Sequence, residues 1–200
     1  MRAFDYLLEQ PALFNLSQIP FTRQKFARIL KHNNLNNVRN VLDVGCGAGS
    51  NTSHFAHSGY LGVDINERYI RAARRRYKRD FLVADITKSH DLLDGSYDFV
   101  LINSFLHHID DHSTFRILNR IRDLVLPEGY VHSIEVVLPE QKGLPLWMAH
   151  RDRGEFPRPL ARWREIFESH LQTVVFEPFC VYFMGLNIME MVYFKGRAKH

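Results

Sequence analysis

From Val41 onward, short apolar runs alternate with stretches of helical spacing, a rhythm that predicts a parallel sheet covered by helices on both faces. The runs at 41–44, 60–64, 81–84, 98–102 and 130–137 read as strands, each of a length suited to crossing a buried layer. Two further runs, 173–179 and 188–194, follow with no helix between them. With a turn near Gly185 they predict an antiparallel hairpin at the sheet edge. Helices are expected over 52–57, 67–78, 112–124 and 161–170. In the third of these, Phe115, Ile117, Leu118, Ile121, Leu124 and Val125 fall close to i, i+3, i+4 spacing, and Pro127 and Gly129 mark its end. Residues 17–33, with Phe26, Ile29 and Leu30 on one face, predict a helix that caps the fold.

No internal repeat or low-complexity tract interrupts this pattern. The chain reads as a single domain with four parts: an N-terminal helical cap over 1–38, a ligand-binding core over 39–137, an irregular stretch over 138–160, and a C-terminal helix and strand pair over 161–200. Pro139, Gly143, Pro145, Gly154, Pro157 and Pro159 make the third part a long loop, and loops of that length usually serve function, here as a lid.

Composition narrows the picture. With 200 residues, 46% hydrophobic and 24% charged, the chain can bury a sizeable core without metal or disulfides. Cys46 and Cys180 cannot build a disulfide framework and suit a reducing compartment, so a cytoplasmic location is expected. Acids interrupt the N-terminus before any signal-peptide core could form, and apolar runs fall far short of the ~20 residues that span a bilayer. The net charge of +4 raises the question of nucleic acid. Much of it comes from Arg74, Arg75, Arg76, Lys78 and Arg79, which cover too much of a helix circumference to make a binding stripe and read as a solvated face.

The sharpest signal is Val41-Leu42-Asp43-Val44-Gly45-Cys46-Gly47-Ala48-Gly49-Ser50, a buried strand that runs into a glycine-rich turn. Glycine there lets a ligand approach the backbone and permits positive φ, while exposed amides attract electron-rich groups. Asp64 ends the second strand nineteen residues after Gly45, near the offset at which an acid meets a ribose diol. Asp85 follows the third strand, placed to accept from the exocyclic amine of adenine, with Ile65 and Ile86 to cover the ring. Together these positions describe an adenosine pocket. Gly45, Gly47 and Gly49 read G-x-G-x-G instead of the dinucleotide fingerprint G-x-G-x-x-G, which favours a ligand without pyrophosphate.

On these residues the chain resembles the class I S-adenosylmethionine-dependent methyltransferases. Asp43-Val44-Gly45-Cys46-Gly47-Ala48-Gly49 is similar to their first motif, and Gly62-Val63-Asp64-Ile65, Ala84-Asp85-Ile86 and Tyr97-Asp98-Phe99-Val100 are similar to the next three. The resemblance covers 41–137 and implies an α/β fold, a Rossmann-like three-layer sandwich on a seven-stranded, mostly parallel sheet with an antiparallel C-terminal hairpin. It implies S-adenosylmethionine as cofactor and S-adenosylhomocysteine as product. It also assigns Gly45, Gly47 and Gly49 to the methionine part, Asp64 to the ribose, Asp85 to the adenine amine, and Asn103 to the methionine end through its backbone. Asp43 would orient the turn and reach the cofactor amine through water.

In such sheets ligands bind beyond the carboxyl ends of the strands, so the acceptor is expected near Asn103-Ser104-Phe105-Leu106-His107-His108. No Asn-Pro-Pro-aromatic run stands there, which disfavours methylation of nucleic-acid amines. His107 and His108 are the candidate bases, since a histidine pKa of about 6.5 suits proton removal near neutrality; His107 is preferred. The cluster from His107 to His112 lacks His-Glu-x-x-His spacing, and no metal is expected. Leu144, Leu146, Trp147 and Met148 offer an apolar lid for a small-molecule or lipid-like acceptor, or else core packing. Asp152, Arg153 and Arg158 can ion-pair with each other or grip an anion, and Glu135 is a further polar candidate unless it faces solvent. Two other readings are an RNA or tRNA methyltransferase and a non-catalytic partner that retains the fold.

Overall fold

The computed structural model describes residues 11–88, 97–151 and 154–199. Helix α1 (Pro11–His32) precedes strand β1 (Asn40–Val44), and β2 (Gly59–Asp64), α2 (Glu67–Arg76), β3 (Asp80–Val83) and β4 (Tyr97–Asn103) follow. Then come α3 (Asp111–Leu124), β5 (Val125–Val136), α4 (Leu144–Arg151), α5 (Leu160–His170), β6 (Leu171–Phe183) and β7 (Leu186–Ala198).

The seven strands form one sheet in the order β3-β2-β1-β4-β5-β7-β6. The β1–β5 pairings are all parallel, and β7 runs antiparallel between β5 and β6. The fold is thus the expected Rossmann-like α/β sandwich with a C-terminal hairpin. Chain order reverses beside β1, where β2 lies on one side and β4 on the other, and such switch points open a crevice at the strands' carboxyl ends.

Two cores explain the three layers. On one face Ile117, Leu118, Ile121 and Leu124 of α3 join Trp163, Ile166 and Phe167 of α5 against the sheet. On the other, Phe26 and Ile29 of α1, Ile70 and Ala73 of α2 and Ala149 of α4 pack with Phe99, Leu101 and Tyr193. The helix starts follow from local chemistry: the Asp110 carboxylate accepts from Ser113 N at 2.7 Å, and Asn66 Oδ1 accepts from Arg68 N at 3.0 Å.

Some expectations need correction. The helix expected over 52–57 is a single 3-10 turn, Thr52–Phe55, whose carbonyl end is held from outside: Arg79 donates to the Phe55 and Ser58 carbonyls, each at 2.8 Å. Arg74 likewise donates to the Phe81 carbonyl at 3.2 Å, so part of the basic run is spent on backbone instead of forming a wholly solvated face. The stretch over 138–160 is not irregular throughout, for it contains α4, and Val137 and Arg158 form a parallel bridge. No described helix is long and apolar enough to cross a membrane.

Candidate active site

Backbone geometry at the end of β1 demands glycine. Gly45, Gly47 and Gly49 take φ of +69°, +54° and +80°, and the amides of Gly45 and Cys46 both donate to the Val63 carbonyl, at 2.8 and 3.1 Å. A Cβ on Gly45 would lie 2.6 Å from Cγ of Phe105, so the turn and the Phe105 ring are fitted to each other. A Cβ on Gly47 would meet nothing within 4 Å, which places that backbone on open space where a ligand can approach.

The turn and the end of β2 are joined through one carboxylate. Asp64 Oδ2 accepts from Gly47 N at 2.9 Å and Oδ1 from Asn66 N at 2.7 Å. Each oxygen retains acceptor capacity for a hydroxyl. Partial burial raises the Asp64 pKa, against the pull of those two amides. Beyond it opens a cavity of about 310 Å³ lined by Gly45, Asp64, Ile65, Asp85, Ile86 and Phe105, among others. Ile65 is 71% exposed at its mouth and Ile86 is buried beneath, so one can cover a ring and the other floor it. Asp85 is held in a tight turn: its Oδ1 accepts from Thr87 N at 2.9 Å and Thr87 Oγ1 at 2.7 Å, and Lys88 sits 3.0 Å from Oδ2. The Thr87 hydroxyl, ahead of Lys88, lowers the pKa of this acid.

Other predicted residues stand apart from the cavity lining. Asp43 is fully buried, where it accepts from Tyr60 Oη at 2.7 Å and Asn51 Nδ2 at 3.1 Å. Those partners put Asp43 behind the turn. Burial dominates its titration and pushes its pKa up to about 6. From Asn51 the network continues outward: Asn103 Nδ2 donates to Asn51 Oδ1 at 2.9 Å, Ser104 Oγ to Asn103 Oδ1 at 3.3 Å, and buried Lys25 Nζ to Ser104 Oγ at 3.0 Å. Sequence reasoning missed Lys25, whose contact lies 79 positions away in the chain. It also missed Ser113, Arg116 and Ile117 of the cavity wall, although their i, i+3, i+4 spacing on α3 would have grouped them.

The two histidines occupy different environments. His107 is 2% exposed, with Nδ1 2.7 Å from Oε2 of Glu135, whereas His108 is exposed and its ring lies 4.3 Å from that of His107. Glu135 does not face solvent: it is wholly buried and accepts from the amides of Phe105, Leu106 and His107 at 3.3, 3.0 and 3.3 Å. It therefore caps the 3-10 turn Leu106–His108 while orienting the imidazole. A hydrogen bond at Nδ1 leaves Nε2 as the nitrogen that would take a proton. The segment from Gly154 covers the ring. A Cβ on Gly154 would lie 2.3 Å from Cδ2 of His107, and Phe156 N donates to the His107 carbonyl at 2.9 Å.

Arg158 grips no open site. It is 5% exposed and bonds Asp111 at 2.6 Å, while Asp152 and Arg153 lie outside the described residues. Leu144 and Trp147 of α4 are 41% and 51% exposed, so they are not core. Among the described residues no group of three or more side chains could hold a metal ion.

A family model described as a methyltransferase domain matches residues 41–129, the span that carries the glycine turn, Asp64 and Asp85. Over that span the chain is similar to the class I S-adenosylmethionine-dependent methyltransferases. An uncharacterized methyltransferase of Mycobacterium tuberculosis is 34% identical over 129 residues, which are 58% of this chain and 64% of that protein. The chain thus spans less than two thirds of the length of that relative. A ubiquinone biosynthesis O-methyltransferase of Shewanella pealeana is 25% identical over 187 residues, covering 81% of this chain and 78% of its own. The N-methyltransferase NodS of Bradyrhizobium japonicum, solved with S-adenosyl-L-homocysteine, superposes with a TM-score of 0.73 over 100% of this chain and 98% of its own. At 17% identity that likeness speaks for the fold.

Proposed function

We propose that this chain transfers a methyl group from S-adenosylmethionine to a small apolar acceptor bearing a transferable proton. The observation that carries the reading is the joining of Gly47 N to the Asp64 carboxylate at the mouth of an apolar-walled cavity, because it sets a ribose acceptor beside an open glycine backbone. When bound, the cofactor supplies an activated methyl on a sulfonium. Asp64 would hold the ribose diol, Ile65 and Ile86 would enclose the adenine with Asp85 at its edge, and Gly45, Gly47, Gly49 and Asn103 would face the methionine end.

His107 is our candidate base. Glu135 would fix its tautomer, and Nε2 would take the proton from the acceptor atom, whose methylation by the cofactor would leave the thioether S-adenosylhomocysteine. Because the ring is covered by Gly154–Phe156, an acceptor reaches Nε2 only when that segment lifts. An apolar acceptor agrees with exposed Leu144, Trp147 and Phe156. The Shewanella relative, by name an O-methyltransferase of ubiquinone biosynthesis, supports a small-molecule substrate. The RNA reading loses ground because Arg74 and Arg79 are engaged with backbone carbonyls.

Isothermal titration with S-adenosylmethionine and S-adenosylhomocysteine tests the cofactor half. Asp64→Asn should weaken both by about tenfold, the cost of removing charged acceptors from two hydroxyls, and an unaltered affinity refutes the assignment. For the transfer half, His107→Gln should depress label transfer from methyl-labelled cofactor to a panel of apolar phenols while cofactor affinity holds.

A further inference from the structure

The stretch that carries Gly154 and Phe156 also sends one guanidinium deep into the molecule. Arg158 has five N–H donors, and each meets an acceptor. Nε donates to Asp111 Oδ1 at 2.6 Å. One terminal nitrogen donates to the carbonyls of Leu106 and Phe156, both at 3.1 Å, and the other to the Ile109 carbonyl at 2.8 Å and Thr114 Oγ1 at 3.4 Å. The guanidinium lies 4.8 Å over the Trp163 ring, whose Nε1 donates to the Val136 carbonyl at 2.8 Å.

The acceptors identify what this arrangement holds. Leu106 and Ile109 bracket the turn that carries His107 and His108, so the fork grips that turn at both ends. Phe156 belongs to the segment that covers the imidazole, and its amide is already on the His107 carbonyl. Asp111 and Thr114 begin α3, and Ser113, Arg116 and Ile117 of the same helix line the cavity. A single side chain therefore ties the cover, the histidine turn and a wall of the cavity into one body.

We propose that Arg158 is the positioning residue of this site: it seats the cover over His107 and fixes the imidazole against Glu135. This inference rests on the reading of His107 as the base, and its test below measures the position of the ring without needing turnover. Lysine cannot replace the arginine, since an ammonium has three donors on a flexible stem and cannot fork between Leu106 and Ile109.

The experiment uses the full chain. Hydrogen exchange at the Phe156 amide reports the cover, and the Nδ1–H resonance of His107 reports the ring. In Arg158→Lys, Phe156 exchange should accelerate by about tenfold or more and the His107 signal should broaden, while exchange at Val100 in central β4 and titration with S-adenosylhomocysteine stay near wild type. Thr114→Val, which removes one acceptor of the fork without changing side-chain volume, should give a smaller change of the same kind. Wild-type behaviour at both Phe156 and His107 in Arg158→Lys overturns the proposal. So does equal acceleration at Phe156 and Val100, because it would make Arg158 a general stabiliser. Intact positioning by Arg158 together with full transfer by His107→Gln would retain Arg158 as the tie and remove only the base assignment.

Discussion

Gly154 has no side chain where one would strike the imidazole, since its Cβ would fall 2.3 Å from Cδ2 and 2.8 Å from the carbonyl oxygen of His107. Gly154→Ala should therefore push the cover off the ring, with faster exchange at Phe156 and a loss of about 1–2 kcal/mol in urea unfolding. The change would leave the cofactor cleft intact, so S-adenosylhomocysteine titration should be unaltered. At this scale the glycine turn, Asp64 and Asp85 were legible in the sequence, because each follows a strand directly and inherits its place from that strand. The partners of Glu135, Arg158 and Lys25 were not, because they sit 28, 52 and 79 positions away along the chain. A strand periodicity places Glu135 on a face, yet nothing local says that the face there is closed.

Among the elements, the β6–β7 hairpin and α1 were both expected, but the contacts that join them were not. Met184 takes φ of +50° ahead of Gly185 at +80°, in a turn where asparagine or glycine is the usual first residue. Met184→Asn should raise stability by about 0.5–1 kcal/mol, measured by thermal unfolding; a fall in stability would show that the exposed methionine has a partner of its own. The same hairpin anchors α1, since Glu177 of β6 accepts from Lys31 Nζ at 2.9 Å, approaches Arg28 at 3.3 Å and lies 2.6 Å from His32 Nε2. These partly exposed pairs together are worth about 1 kcal/mol, so Glu177→Gln should speed exchange at Ile29 while β1 stays protected. Amphipathic spacing revealed that a helix precedes β1 and which face is apolar. It could not reveal the docking site, for that is set by an acid about 145 residues later. The expected helix after the glycine turn failed for a different reason: Arg79 terminates it by taking the carbonyls of Phe55 and Ser58.

For the whole molecule, the main electrostatic liability lies beneath the glycine turn. Asp43 is raised from 3.8 to about 6, chiefly by burial, so the folded state keeps its proton over a range where the unfolded chain has lost it. Stability attributable to this group is thus greatest below about pH 4, falls as pH climbs toward 6 and is level above, a difference of about 3 kcal/mol. Asp43→Asn should remove that slope. Its stability relative to wild type, from urea unfolding at pH 4.5 and pH 7.5, should improve at the higher pH, and parallel curves would exclude Asp43 as the source. The seven-stranded architecture was readable because five parallel strands and a terminal pair each carry their own apolar signature. The position of β7 between β5 and β6 was not, because strand order depends on which edges remain open when the last strands arrive.

That strand order also bears on synthesis. Because β7 closes the sheet beside β5 and β6 attaches only through β7, the acid that secures α1 has no fixed place until β7 has left the ribosome. Pro11–His32 can rest its apolar face on earlier parts of the core, yet its ion pairs wait for β6, so nascent chains stalled before β7 should hold this helix more loosely than the finished fold does.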